Sequence, residues 1–195
     1  MQETFLAPDF EPAAHWETAN AGGCRVHVRV ADNRDLKDID ALLKRSYPGL
    51  MQPAYAPDVL ARALPWMMQA NPELVTSGSY YVAEKDGAII GCGGWTCTAP
   101  GTGATTEGLV HARHFAVDPI CAQTGVGRAI FERCVMDALA TGATRIQALS
   151  SLNAEPFYER MGLRRFDLIE VPFGSDAGFP VVLMEGPLKV RETRA

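Results

Sequence analysis

Between Phe115 and Ala138 the chain exchanges one periodicity for another, and that exchange restricts the fold more than any other stretch. Phe115 to Val117 close a β-rich run, and Asp118-Pro119 ends it because proline brings no N–H to a ladder. From Val126 onward the apolar residues Val126, Ala129, Ile130, Cys134 and Ala138 recur at helical spacing. Gln123-Thr124-Gly125-Val126-Gly127-Arg128 joins strand to helix. Glycines at a helix start remove Cβ atoms that would hold a ligand away, so backbone N–H groups and the positive end of the helix dipole can face an anion. Arg128 adds a formal charge in the first turn. The stretch reads as a phosphate cradle, although the same glycines would also serve a helix entry that needs only a tight turn.

The better-known phosphate loops do not fit. A Walker loop requires a Lys after its second glycine, and none follows here. A dinucleotide fingerprint requires a third glycine, where this chain has Ile130.

Val117-Asp118-Pro119 followed by Gln123-Thr124-Gly125-Val126-Gly127-Arg128-Ala129 resembles the acetyl-CoA loop of the GNAT N-acetyltransferases. A second match follows downstream, where Asn153-Ala154-Glu155-Pro156-Phe157-Tyr158-Glu159-Arg160-Met161-Gly162-Leu163 resembles the family's helix with a Phe-Tyr pair before a Gly-hydrophobic turn. The resemblance runs from about Val26 to Leu188 and is strongest between Phe115 and Leu163.

Taken in order, the chain reads β-α-α-β-β-β-α-β-α-β-β. Arg25 to Val30 alternates as a half-buried strand. Asp32-Asn33 caps a helix that is expected to stop at Tyr47-Pro48-Gly49, and a second helix from Pro57 is expected to kink or split at Pro65. Lys85-Asp86-Gly87 predicts a hairpin between Tyr80–Glu84 and Ala88–Thr98. Strands at Leu109–Val117 and Arg145–Leu149 flank the central helix. Arg165–Val171 and Val181–Met184 close the chain around a loop with Phe173-Gly174-Ser175. The fold class is α/β: a mixed, largely antiparallel sheet with helices on both faces. The family resemblance implies a parallel, splayed pair in its centre, Leu109–Val117 with Arg145–Leu149, and a crossover helix is the required connection.

Residues 1–23 are expected to be a flexible N-terminal extension and 24–195 a single domain, with 195 residues sufficient for a full core. A net charge of −5 argues against nucleic-acid and anionic-membrane partners, which want a basic face. No apolar run reaches the ~18 residues of a membrane span, and no secretory signal is legible at the N-terminus. Cys24, Cys92, Cys97, Cys121 and Cys134 lack disulfide or metal spacing, so reducing cytoplasm is the expected compartment and no metal is expected. Oligomeric state is left open, a homodimer included.

By the resemblance, the protein would be an N-acetyltransferase with acetyl-CoA as co-substrate, acting by direct attack on a primary amine of a small molecule or an amino terminus. A non-catalytic acyl-CoA-binding sensor is the alternative. Gln123, Thr124, Gly125, Val126, Gly127 and Arg128 would wrap the pyrophosphate, and Phe115, Ala116 and Val117 would pair with the pantetheine amides. Tyr158 would protonate the departing thiolate, as a neutral phenol can. Where many members carry an Asn seven residues before that tyrosine this chain has Ser151, with Asn153 five before; either could reach the pantetheine. Ile146 occupies the place where some members have a base, which leaves a water relayed by Glu107, His111 or His114, or an acceptor that arrives neutral. Tyr47, Tyr55 and Trp95, with Met51 and Trp66, are the expected acceptor-side residues.

Overall fold

Strands β5 (Leu109–Val117) and β6 (Arg145–Ser150) run parallel, joined over the sheet by helix α4 (Val126–Ala140). They sit inside an eight-stranded sheet of order β1-β2-β3-β4-β5-β6-β8-β7, in which every other pairing is antiparallel. The remaining strands are β1 (Trp16–Ala19), β2 (Arg25–Val30), β3 (Tyr80–Lys85), β4 (Ala88–Thr96), β7 (Arg164–Pro172) and β8 (Gly178–Pro187). The computed structural model describes residues 16–19, 25–172 and 178–189, with side chains from Val26 onward. Most of the expected extension, Cys24 and Phe173-Gly174-Ser175 lie outside the described residues. Within that expected extension, Trp16–Ala19 is instead a strand, because it finds ladder partners in β2 from Val28 back to Arg25.

Two layers of helices cover the sheet. On one face α4 and α5 (Glu155–Arg160) bury Val126, Ile130, Phe131, Cys134 and Tyr158 against β-residues such as Val28, Tyr81, Val110, Ile146 and Met184. On the other, α1 (Leu36–Met51) and the short α3 (Pro72–Val75) bury Ile39, Leu42, Leu43 and Val75 against Tyr80, Val82 and Cys92. The end of α1 and α2 (Pro57–Met67) close over Phe179 and Val181 of β8. This is the mixed, helix-flanked sheet that the hydrophobic pattern predicts.

Proline positions depart from expectation. Helix α1 does not stop at Pro48 but continues to Met51, which is buried with Tyr55, Leu60 and Phe179. That burial outweighs the single hydrogen bond a mid-helix proline removes. Helix α2 is not split at Pro65, since the ring falls in the last turn and the helix ends at Met67. The Asp86-Gly87 turn forms as predicted, with φ of 50° and 78°. Helix α3 has no counterpart in the sequence reading. Asn71 initiates it by accepting from the N–H groups of Glu73 and Leu74.

Candidate active site

Strands β5 and β6 pair over only Leu109–His111 and Arg145–Gln147. Beyond that, β5 stays with β4 and β6 with β8, so the two separate towards their C-terminal ends. Ligands of parallel strand pairs collect at such a divergence. The opening here is a cleft of about 1230 Å³ with Ala112–Val117 on one side and Leu149–Ser151 on the other.

The β5 wall is bent by a bulge. Cys92 faces Ala116 and Gly94 faces Arg113, which leaves one residue more on β5 than on β4 across that interval. His114 takes it up at φ 50°, uncommon for a side chain with Cβ. The bulge is held from behind, where the Tyr80 hydroxyl donates to the His114 carbonyl and the Tyr47 hydroxyl to the Phe115 carbonyl. On β4, Gly93 makes room for it: a Cβ there would lie 2.7 Å from the Phe115 ring.

At the far end of β5 the chain turns through Asp118, whose side chain accepts from Ile120 N–H, and reaches α4 by a loop with left-handed Gln123 (φ 63°) and Gly125 (φ 96°). Gly125 is the N-cap and no side chain caps the helix. Among the described residues, the N–H groups of Gln123, Gly125, Val126, Gly127 and Arg128 have no protein acceptor; the first helical bond is Ala129 N–H to Gly125 carbonyl. Alternating handedness at such a turn gathers successive amides into an anion-binding concavity, and the helix dipole adds to it. These donors fit a phosphate group. Gly127 has a second duty, since a Cβ there would stand 3.2 Å from the Phe157 ring and 3.4 Å from Val117. Arg128 spends its Nε on Glu132 at 2.7 Å.

Tyr158 lies 6 % exposed on the α5 side. Its ring meets Phe157, Phe115 and Phe131 edge-on at 5.0, 6.2 and 6.2 Å. Phe115 and Phe131 thereby fix the phenol's position. Burial raises its pKa, so it is a neutral phenol at neutral pH. Its hydroxyl has no hydrogen-bond partner among the described residues, and the residue lines the cleft.

Of the expected site residues, the cleft wall holds Phe115, Ala116, Val117, Gln123, Gly125, Gly127, Arg128, Ser151, Asn153, Tyr158 and Tyr47, together with Met51 and Trp66. Four others stand off it. Thr124 turns its hydroxyl to the Cys121 carbonyl and braces the loop, while Val126 is buried beneath Gly91. Tyr55 is stacked on Phe179 and bridges Pro180 and Leu152 through its hydroxyl. Trp95 is buried in the α4-side core.

Three base candidates separate in the same way. Glu107 is exposed in the β4–β5 loop and His111 is buried off the wall, whereas His114 is on it. His114 Nε2 lies 2.8 Å from the Met67 carbonyl. A carbonyl only accepts, so Nε2 carries the proton and Nδ1 the lone pair. Burial lowers the imidazole's pKa and keeps it neutral. Arg113, Gln69 and Asn71 also line the cleft and carry no motif; the first is marked only as the one formally charged residue in a strand of apolar residues and two histidines.

Among the described residues no cluster of three or more His, Cys, Asp or Glu could hold a metal ion, and no helix is long and apolar enough to cross a membrane. No curated protein matches the chain. Its fold is that of PaiA N-acetyltransferase from Thermoplasma acidophilum in complex with coenzyme A, at TM-score 0.63 and 11% identity over 83% of this chain and 98% of that one. A GCN5-related N-acetyltransferase from Rhodopseudomonas palustris aligns at TM-score 0.66 and 18% identity, over 89% and 98%. N-acetylglutamate synthase from Neisseria gonorrhoeae, complexed with coenzyme A and N-acetyl-glutamate, aligns at TM-score 0.56 and 19% identity over 84% of this chain and 35% of that one. The acetyltransferase (GNAT) domain model matches residues 76–164, the segment from β3 through α5 that builds the glycine loop, the bulge and the Tyr158 wall. Residues 76–164 thus match the acetyltransferase (GNAT) domain, and the chain as a whole has the fold of these solved N-acetyltransferases.

Proposed function

We propose that this protein is a cytoplasmic N-acetyltransferase that passes an acetyl group from acetyl-CoA to the primary amine of a small molecule. The observation that carries the reading is the coexistence, on one cleft, of amides at the start of α4 and a Tyr158 hydroxyl that both lack partners among the described residues. The amides of Gln123, Gly125, Val126, Gly127 and Arg128 would hold the diphosphate, and Phe115–Val117 with Ser151 and Asn153 would border the pantetheine arm. When bound, acetyl-CoA supplies an activated thioester carbonyl, and its C–S bond gives way to a C–N bond with the amine.

The chain's own groups handle the protons. His114 Nδ1 is the acceptor for the proton that the amine nitrogen sheds as the C–N bond forms. Tyr158 donates a hydrogen bond to the departing sulphur. The phenol is a weaker acid than it would be in water, but the sulphur arrives in the same apolar wall, where burial also raises thiol pKa values. Burial acts in the same direction on the core thiol of Cys92. Among the solved structures of this fold, one holds N-acetyl-glutamate with coenzyme A, the product of an amine acceptor.

Release of free thiol from acetyl-CoA, measured over a panel of small amines, tests the reading. Amine-dependent release is expected. Tight coenzyme A binding with no release from any amine would leave a binding module and overturn the transferase assignment.

A further inference from the structure

Arg113 stands in the cleft wall one residue before the bulge, half-buried, with no carboxylate partner among the described residues. Its one hydrogen bond runs from Nη1 to Thr96 Oγ1 at 2.9 Å. The titratable groups close enough to interact with it, His111 and His114, are imidazoles that its charge disfavours from protonating. Other inward-facing arginines of this chain are treated differently. Arg29 is held by both Asp35 and Glu84, and Arg133 by Asp137. A desolvated guanidinium without a counter-ion is costly, and a planar fork of donors is the group best shaped to take a carboxylate through two parallel bonds.

The position separates this charge from the phosphate cradle. Arg113 lies four strand residues before Val117, about 13 Å at the usual rise, and the cradle lies further along the chain. The residues that share this part of the wall, Trp66, Met67, Gln69 and Asn71, come from α2 and its connection to α3. His114, the proposed proton acceptor, is next to Arg113 in the chain. An amine placed at His114 with its own carboxylate at Arg113 is the arrangement of an amino acid.

We infer that Arg113 anchors a carboxylate of the acceptor, so that the acceptor class is the amino-acid-like amine and not the simple amine, polyamine or protein amino terminus. Calling this ligand the acceptor rests on the transferase reading above; the carboxylate site itself does not.

The test uses matched ligands: free amino acids, their carboxamides and the corresponding amines without a carboxyl group. Binding is measured by calorimetry to the protein alone and saturated with coenzyme A, for the natural chain, Arg113→Gln and Arg113→Lys. The natural chain is expected to prefer at least one free amino acid over its amide by tenfold or more. That preference should collapse to near unity in Arg113→Gln and survive in part in Arg113→Lys, with thermal unfolding confirming that each variant is folded. Equal affinity for acids and amides, binding of no acid, or a preference untouched in Arg113→Gln would overturn the inference. Thiol release run on the same panel distinguishes the two failures. Carboxylate binding through Arg113 without turnover removes the transferase reading alone, and turnover on amides or plain amines as good as on acids removes the carboxylate anchor alone.

Discussion

The Tyr80 hydroxyl donates to the carbonyl oxygen of His114 at 2.9 Å, across β4 from its own strand. Tyr80 is fully buried. The bond therefore holds the β5 bulge from inside the α1-side core, while Tyr47 holds the following carbonyl from α1. Tyr80→Phe keeps the ring and removes this donor from the buried carbonyl, to which the Cys92 thiol makes a much weaker contact at 3.9 Å. A loss of about 1–2 kcal/mol is expected, a fall in Tm of roughly 2–8 °C. Thermal unfolding of the pair measures it, and an unchanged Tm would show that the bulge stands without this bond.

Tyr158→Phe removes the one polar atom of the aromatic wall without changing its packing. Coenzyme A affinity should hold within about twofold while kcat falls roughly 10²-fold, the lower range for a lost proton donor. Steady-state thiol release and calorimetry separate the two quantities. A fall in affinity with kcat intact would make Tyr158 a wall residue only.

Gly125 is the N-cap of α4 at φ 96°. Gly125→Ala puts a Cβ into left-handed backbone, at about 1–2 kcal/mol of strain, or turns the amides out of their shared direction. Coenzyme A binding should weaken about 5- to 30-fold, with a smaller effect on Tm. Calorimetry that finds full affinity in a folded variant would mean the amides do not form the diphosphate site.

Burial lowers the His114 pKa, with the Arg113 charge acting in the same direction and Asp40 on α1 against it; Met67, Tyr47 and Tyr80 supply its other polar neighbours. Above the unfolded value of about 6.5 both states are neutral and the stability is fully present. As pH falls below it, the unfolded chain binds a proton the native imidazole refuses, so stability declines, by at most about 1.4 kcal/mol per pH unit for this group. Urea midpoints at pH 7.5 and 5.5 should therefore drop further for the natural chain than for His114→Asn, which tolerates the positive φ. Equal drops would place His114 outside the titration. His111, lowered mainly by burial as well, contributes in both proteins.

The fold was legible because its signals are local. The Asp86-Gly87 turn, the alternation Val26-Val28-Val30 and the helical spacing from Val126 each declare themselves within a few residues. The glycine loop and the Phe157-Tyr158 pair were legible for the same reason. What could not be read is what depends on distant packing. Nothing near Pro48 announces that Met51 will be buried by Phe179 and carry α1 onward. Tyr55 and Trp95 share the composition of acceptor-site aromatics, and only tertiary contacts send them into the core. That His114, and not Glu107 or His111, reaches the cleft wall depends on the bulge, which is marked only on the partner strand by the glycines Gly91, Gly93 and Gly94.

The bulge also sets the parity of β5. Before it, Val110 and Ala112 face α4; after it, Phe115 and Val117 do. One residue inserted or deleted here would leave the first half of the strand in place and invert the second, sending Phe115 away from Tyr158 and Ala116 into the wrong core. Strand length between Arg113 and Phe115 is thus frozen more tightly than side-chain identity, and homologous chains should vary their loops on either side while keeping this interval uncut.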